Sequence, residues 1–413
     1  MARLIIFLYR VLGTVLIWPA ALLMSRHPNF RGTIRGRLGF TLPVLPDEGT
    51  IVWVHAASVG EVKAARGLIK ELKAGRKNLF VCLSSVTVTG RDVATKIPEV
   101  DLVIPFPFDL SWVMRRYMLH LHPEALMIVE TELWPNMILA AERLGIPVVF
   151  VNARMTDRSY TRFEKVRAVI KEVLKNVQVF AMADSDAQRF SGLGAQKVEV
   201  LGNLKFDHVS DVDMGKRATM RKQLGVEGRA VFIAGSIREG EETEVMDAIA
   251  YAASRIEGLY SIVAPRHPAM LVLLKELADR RNIRWGLRSQ MPSDIDLLFV
   301  DTFGELFDLY GSADAAFVGG SLKELGGQNI LEPVAWGVPT IHGPHMDNFL
   351  WAMDVVQDST LEVADSAQLG EAVVKVISHQ DDSRDMAARA REALNAKRGV
   401  TKRYVQALGR FIR

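Results

Sequence analysis

The sequence predicts two consecutive α/β domains, each built on a parallel sheet, behind an apolar N-terminal segment. Three observations carry that prediction. Short unbroken apolar runs alternate with helical patterns along most of the chain. A polar interruption falls near the middle, and the alternation restarts after it. The length, 413 residues, suits two or three domains at roughly 150 residues each. Unbroken apolar runs mark parallel strands because both faces of such a sheet are covered by helices.

In the first half the strand candidates are 51–56, 79–84, 103–106, 125–129, 148–152, 179–182 and 198–201, with helical stretches such as 62–74 and 136–144 between them. Gly145 and Pro147 close the second of these helices. From Met214 to Arg229 the chain is polar and charged, and new strand candidates follow at 231–234, 260–263, 296–300, 315–318 and 339–342. A last helix is expected over 382–394, before a tail segment at 401–411. The implied organisation is an anchor over 1–25, a first domain over 26–207, a linker over 208–228, a second domain over 229–395 and a tail over 396–413 that packs back on the body. Open parallel sheets bind ligands beyond the carboxyl ends of their strands, so a cleft between the two sets of strand ends is the expected site.

Composition removes several alternatives. Hydrophobic residues make up 49% and charged residues 24%, which excludes a disordered or collagen-like chain. The 51 Lys and Arg against 48 Asp and Glu leave a formal +3, too little to argue for a nucleic-acid partner. A single cysteine, Cys82, allows neither an intramolecular disulfide nor a cysteine metal cluster and suits a reducing compartment. The nine histidines show no HExxH or comparable ligand spacing, so no metal is expected, and His55, His267 and His345 read as hydrogen-bonding or packing groups. Neither a GxSxG elbow nor a Walker loop is present.

Leu4 to Met24 is a 21-residue apolar run broken chiefly by Arg10, about the length that crosses a bilayer core as helix. It ends in MSRHP without a small-x-small cleavage site, so it reads as retained. Arg3, Arg10, Arg26, Arg31, Arg35 and Arg37 precede the first acidic residue, Asp47. Four of them follow the apolar run, which puts the body on the cytoplasmic side and sets basic residues against anionic lipids of the inner membrane. An ordinary buried helix is the other reading, and spanning the bilayer and lying along it are both open.

The chemistry-bearing residues sit at predicted strand ends. In WVHAASVGEV a strand enters a turn in which Ser58 and Gly60 allow close approach, and Glu61 opens the next helix. There Glu61 can act as general base on an attacking hydroxyl, or simply complement the helix dipole. VETELWPN sets Glu130 and Glu132 two residues apart, one of the pair serving a structural role. Arg154 and Arg158 follow the next strand, and Lys205, in GNLKFD, is a cation facing the cleft or solvent.

In the second half, AGSIREGEE holds Ser236 in a strand-turn-helix that resembles an anion cradle. APRHP puts Arg266 and His267 at a strand terminus, and DTFGEL offers Phe303, Gly304 and Glu305 at another helix start. GGSLKELGGQNILEP carries two diglycines, read as room for a phosphate, then Asn329, Ile330, Leu331 and Glu332, with Glu332 placed to accept from ribose hydroxyls. Glycine-rich packing with a solvated Glu332 is the alternative.

The ordered series HAASVGEV, ETELWPN, NARM, GNLKFD, APRHP, DTFGEL, GGSLKELGGQNILEP and GPHMDNF resembles the 3-deoxy-D-manno-octulosonic acid (Kdo) transferases of lipopolysaccharide synthesis, from the anchor to about residue 350. Ile237, Arg238, Gln328 and Ile330 depart from the family's usual residues. The resemblance implies the GT-B glycosyltransferase architecture of two Rossmann-like domains, and inverting transfer of Kdo from CMP-Kdo to a lipid A precursor at the inner membrane, with no cofactor. It casts Glu61 as catalytic base and Glu130 with Lys205 as transition-state stabilisers. Ser236, Arg266, His267, Phe303 to Glu305 and Asn329 to Glu332 become donor-binding segments, and Ser58, Gly60, Arg154 and Arg158 fall on the acceptor side. A GT-B transferase using a UDP-sugar on another membrane lipid, and a sugar-nucleotide epimerase of the same architecture, are the competing expectations.

Overall fold

The computed structural model describes residues 2–27, 30–76, 78–209, 212–290 and 292–412. They form two compact units, the first comprising the chain through His208 together with everything from Gly399 onward, the second Val209–Arg398.

In the first unit, seven strands run β1 Thr50–His55, β2 Leu79–Ser85, β3 Leu102–Pro105, β4 Ala125–Val129, β5 Val148–Ala153, β6 Gln178–Ala181 and β7 Lys197–Val200. They pair in the order β3-β2-β1-β4-β5-β6-β7, all parallel. Successive side chains point to opposite faces of a strand, so an unbroken apolar run feeds two cores. Trp53, Cys82, Leu126 and Phe150 pack on one face with the helices Ser111–Leu121 and Pro135–Arg143. Val52, Val54, Val81, Met127 and Val149 pack on the other, with Val59–Ala74 and the C-terminal helix Val400–Leu408. The chain leaves β1 towards one sheet edge and returns at β4 towards the other, so the strand order reverses between β1 and β4, the position where such sheets open a crevice.

The second unit repeats the plan. Its strands are β8 Val231–Ile237, β9 Tyr260–Pro265, β10 Trp285–Leu287, β11 Leu297–Phe299, β12 Ala315–Val318, β13 Thr340–His342 and β14 Leu361–Glu362. They lie in the order β10-β11-β9-β8-β12-β13-β14, again all parallel, with the reversal between β8 and β12. β10 and β14, of three and two residues, were absent from the expected strand set.

Residues 208–228, expected as a linker, are instead largely part of the second unit. The helix Gly215–Gln223 sits there through its arginines. Arg217 and Arg221 reach Asp314 at 3.3 and 3.1 Å, Arg221 donates to the Ser312 carbonyl at 2.7 Å, and Val226 enters the core. A polar composition hid a helix whose polar groups have partners. The second unit extends to Arg398, beyond the expected 395, and the terminal segment packs on the first unit. Asp207 accepts from the Gly399 and Thr401 amides at 2.8 and 2.6 Å, capping the last helix. The Tyr404 hydroxyl accepts from the Asn152 amide at 3.1 Å and lies within reach of the Phe180 and Gly202 carbonyls at 3.2 and 3.1 Å.

Arg37, grouped in the sequence with the lipid-facing cations, is buried. Its guanidinium donates to the Phe106 and Val86 carbonyls at 2.9 and 3.0 Å. Burial, with Arg91 nearby, pulls its pKa down to about 10. It is a structural tie, because hydrogen bonding to carbonyls offsets removal of the charge from water.

Tyr404→Phe leaves the buried Asn152 N–H without an acceptor, a loss of about 1–3 kcal/mol. Calorimetry of the full chain should show the first unit unfolding earlier, by about 2–4 °C per kcal/mol for a domain of this size. An unmoved transition would remove the hydroxyl from the list of supports.

Candidate functional site

β1 ends at His55, and the chain turns through Ala56 and Ala57 into the helix Val59–Ala74, with Ser58 at its N-cap in extended conformation. The end of β2 pins this turn: Ser85 Oγ donates to the Ala57 carbonyl at 3.0 Å, and Val86 N–H reaches the same oxygen at 3.2 Å. Glu61, in the first helical turn, folds back over the turn. Its Oε2 accepts from the Ala57 amide at 2.7 Å, and its Oε1 from the Ser58 hydroxyl at 2.9 Å. Glu61 is 8% exposed. Burial pushes its pKa up to about 7, the two hydrogen bonds pull the other way, and Glu132 and Glu130 nearby add to the rise. Its environment therefore holds Glu61 near the protonation balance that suits a general base at neutral pH.

Glu130 follows β4 with φ of 58°, a left-handed backbone that a non-glycine residue adopts only where its surroundings impose it. Its amide donates to the Val151 carbonyl at 2.9 Å, and its Oε1 lies 3.5 Å from Lys205 Nζ. Lys205 sits in the 3-10 turn Leu204–His208. That turn is held by Asn152, whose Oδ1 accepts from the Leu204 amide at 2.9 Å, and by Asn203, whose Oδ1 accepts from the Lys205 amide at 3.0 Å. Burial raises the pKa of Glu132, with Glu130 adding to the rise. The first unit thus gathers Ser58, Glu61, Glu130, Glu132 and Lys205 at the strand-order reversal. Gly60 is helical, and a Cβ there would meet only Ser58 Oγ at 3.8 Å, so packing within the chain does not demand glycine. Arg154 and Arg158 are exposed beyond β5. Sequence reading missed Asn152, Asp207 and Tyr404 as supports of the Lys205 turn, since their contacts join residues 52, 192 and 252 positions apart.

In the second unit, the expected donor residues line up beyond the ends of four neighbouring strands, β11, β9, β8 and β12. Ser236, one residue before the end of β8, has φ of 54°. Arg266 and His267 are exposed after β9, with the Arg266 amide on the Ile237 carbonyl at 2.9 Å. Phe303 follows β11 and is 82% exposed, a bare aromatic face beyond the carboxyl end of the strand. Gly304 beside it has φ of 86°, and Glu305 pairs with Arg288 at 2.9 Å. Glu332 accepts from Asn329 Nδ2 at 3.1 Å; burial raises its pKa, opposed by that hydrogen bond and the charge of Arg266. Ile330 and Leu331, expected among the donor contacts, have fully buried side chains. They hold the short helix Leu331–Ala335 to the core and can present only backbone.

The two diglycines differ from their expected role as phosphate room. Glu241, a fully buried residue that sequence reading passed over, occupies the donors there. Its Oε2 accepts from the Gly320 and Arg238 amides at 2.6 and 2.9 Å, and its Oε1 from the Ser321 and Leu322 amides at 2.9 and 3.0 Å. A Cβ at Gly319 would stand 2.4 Å from Ile237 Cα, and one at Gly327 2.4 Å from Met346 Sδ. These glycines serve close packing between loops, with an internal carboxylate as the anion. The signal was present in GEE, an acid at a strand-to-helix turn as Glu61 is. Among the described residues no three His, Cys, Asp or Glu side chains gather as a metal-ligand set.

Two parallel sheets with helices on both faces, each carrying polar loops at its strand ends, make the GT-B-type architecture of two Rossmann-like domains. A glycosyltransferase from Rickettsia africae shares this fold at TM-score 0.56 and 14% identity, covering 89% of this chain and 99% of the other. The profile of the 3-deoxy-D-manno-octulosonic-acid transferase (kdotransferase) family matches residues 32–208. The 3-deoxy-D-manno-octulosonic acid transferase of Haemophilus influenzae is 30% identical over 95% of this chain and 94% of its own, and that of Bordetella pertussis 30% identical over 86% of each. The chain belongs to the 3-deoxy-D-manno-octulosonic acid transferase family.

Two substitutions separate the roles of the buried carboxylates. Glu61→Gln mimics the protonated acid. Because the folded pKa lies above the ordinary one, parent stability is full below the ordinary carboxylate range and declines as pH rises through about 7. The variant should therefore melt like the parent at pH 4 and higher than it at pH 8. Glu241→Ala strips acceptors from four backbone amides, at a cost of about 1–3 kcal/mol for each buried group left unsatisfied. Thermal unfolding should show the second unit destabilised at both pH values.

Proposed function

We propose that this enzyme transfers Kdo from CMP-Kdo to a hydroxyl of a lipid A precursor at the cytoplasmic face of the inner membrane, with inversion at the anomeric carbon and Glu61 as the base. The observation that carries the reading is the state of Glu61: a carboxylate at a strand-order reversal, oriented by Ala57 N–H and Ser58 Oγ, with its pKa raised to about 7 by burial. Such a group takes the acceptor hydroxyl's proton while the oxygen bonds to the anomeric carbon and the CMP–sugar bond breaks, the electron pair leaving with CMP. Lys205, 3.5 Å from Glu130, supplies a cation whose neutralising partner is already in place, suited to the carboxylate of Kdo or an acceptor phosphate.

In the second unit the exposed face of Phe303 suits stacking against a base, and Arg266 suits the departing phosphate. Glu332, held by Asn329, suits ribose hydroxyls. Ser58, Gly60, Arg154 and Arg158 are assigned to the acceptor. The family membership supports the sugar transferred, and the basic segment after the N-terminal helix supports the cytoplasmic orientation.

The direct test is the mass gained by purified lipid A precursor on incubation with CMP-Kdo, against UDP-sugars in parallel. Gain with CMP-Kdo alone supports the reading. Glu61→Gln should lower turnover about 10²–10⁴-fold, the usual span of general-base catalysis, with donor binding retained. The rate of the parent should rise with pH through about 7 as Glu61 ionises. Ser58→Ala removes a bond that favours the charged form, so the acid limb should move to higher pH. A limb that stays in place would separate Ser58 from the base.

A further inference from the structure

The helix Ala2–Met24 is long and apolar enough to cross a bilayer, yet its contacts run along the first unit. At 3.6 residues per turn, Ile6, Arg10, Gly13, Ile17 and Ala21 share one stripe. Ile6, Ile17 and Ala21 are buried against the unit's core, and a Cβ at Gly13 would lie 3.4 Å from Leu110. Leu4, Leu8, Leu12, Val15, Leu22 and Leu23 fall on the opposite half of the circumference and are 47–68% exposed.

Polar ties fix the docked face within the helix rather than at its end. Arg10 Nε donates to Asn136 Oδ1 at 3.0 Å, and the Tyr9 hydroxyl to Asp109 Oδ2 at 2.9 Å. Asp109 itself accepts from the Asn136 and Met137 amides at 3.0 and 2.8 Å, opening the helix Pro135–Arg143. Trp18 packs against Phe40, and Phe40 against Trp112, as tilted ring pairs 6.3 and 5.9 Å apart. A helix held along about 22 Å of its length, from Ile6 to Ala21, cannot stand across the hydrocarbon without carrying Asp109, Asn136 and the helix Ser111–Leu121 in with it. Arg10, the charge that breaks the apolar run, is committed to Asn136.

We propose that Ala2–Met24 is a monotopic helix, lying in the plane of the bilayer surface with its docked stripe on the first unit and its free apolar half among the acyl chains. Arg26, Arg31 and Arg35 continue from it, are exposed and form no ion pair among the described residues. They complement anionic head groups at the depth such a helix occupies. The occupant is therefore a lipid surface rather than a second copy, whose matching face would bring the same three cations together. The proposal concerns how the enzyme sits on its membrane, so its failure leaves the role of Glu61 untouched.

The test places one nitroxide at a time at Leu4→Cys, Leu8→Cys, Val15→Cys and Leu22→Cys in the full chain. The protein is bound to phosphatidylglycerol–phosphatidylethanolamine vesicles, with the buried Cys82 left in place. Oxygen and nickel-chelate relaxation should give all four labels one shallow depth. A spanning helix would separate positions 4 and 15 by about 16 Å along the membrane normal, and that gradient would overturn the proposal. Spin–spin broadening between copies, or four water-exposed labels, would overturn it as well. As a second readout, Ala2→Cys and Asp47→Cys should react with an impermeant maleimide from the same side of a sealed vesicle; reaction from opposite sides makes the helix a span.

Discussion

Both units turn on a carboxylate set just after their first strand, and the difference between the two carboxylates divides their work. Glu241 accepts four backbone amides, so its oxygens are fully occupied and its charge fastens two loops together. Glu61 accepts one amide and one hydroxyl, too few to offset its burial, and its charge stays in contention near neutrality. The same residue type at the same point of the same fold becomes a tie between loops in one case and a group of raised pKa in the other.

Backbone strain follows the same geography. Glu130, just past β4, and Asn152 and Ser236, each the last residue but one of its strand, have φ near +55°, a conformation that costs a side-chain-bearing residue about 1–3 kcal/mol. Each is held by neighbours: Glu130 by Val151, Asn152 by Tyr404 and Leu204, Ser236 between the β8 ladder and the loop that Glu241 ties. A strand that ends this sharply turns its last side chain away from the sheet, as placement beside Lys205 requires of Glu130.

What the sequence made legible was whatever depends on short-range pattern. Val52 to His55 and Ala125 to Val129 read as strands because a doubly covered strand must be apolar throughout, and Glu61 stood out because acids at helix starts follow strands. Asp314 has no such signature. It turns the arginines of Gly215–Gln223 from apparent linker charges into anchors, and nothing near residue 217 announces it. The diglycines failed for a related reason: glycine reports that something comes close, and whether that is a phosphate or Ile237 and Met346 is decided by distant chain. Ile330 and Leu331 were drawn into the donor set by adjacency to Asn329 and Glu332, although helical geometry sends them to the core.

The last helix of the chain completes the first unit, so the second unit is in effect an insertion between a body and its own closing piece. During synthesis the turn bearing Lys205 must wait for nearly 200 further residues before Asp207 and Asn152 meet Gly399 and Tyr404. A nascent chain on the ribosome therefore holds the Lys205 turn without its brace until residues 399–404 emerge. Completion of the first unit thus waits on the helix Val400–Leu408, and loss of that helix would be felt at a turn in the middle of the primary structure.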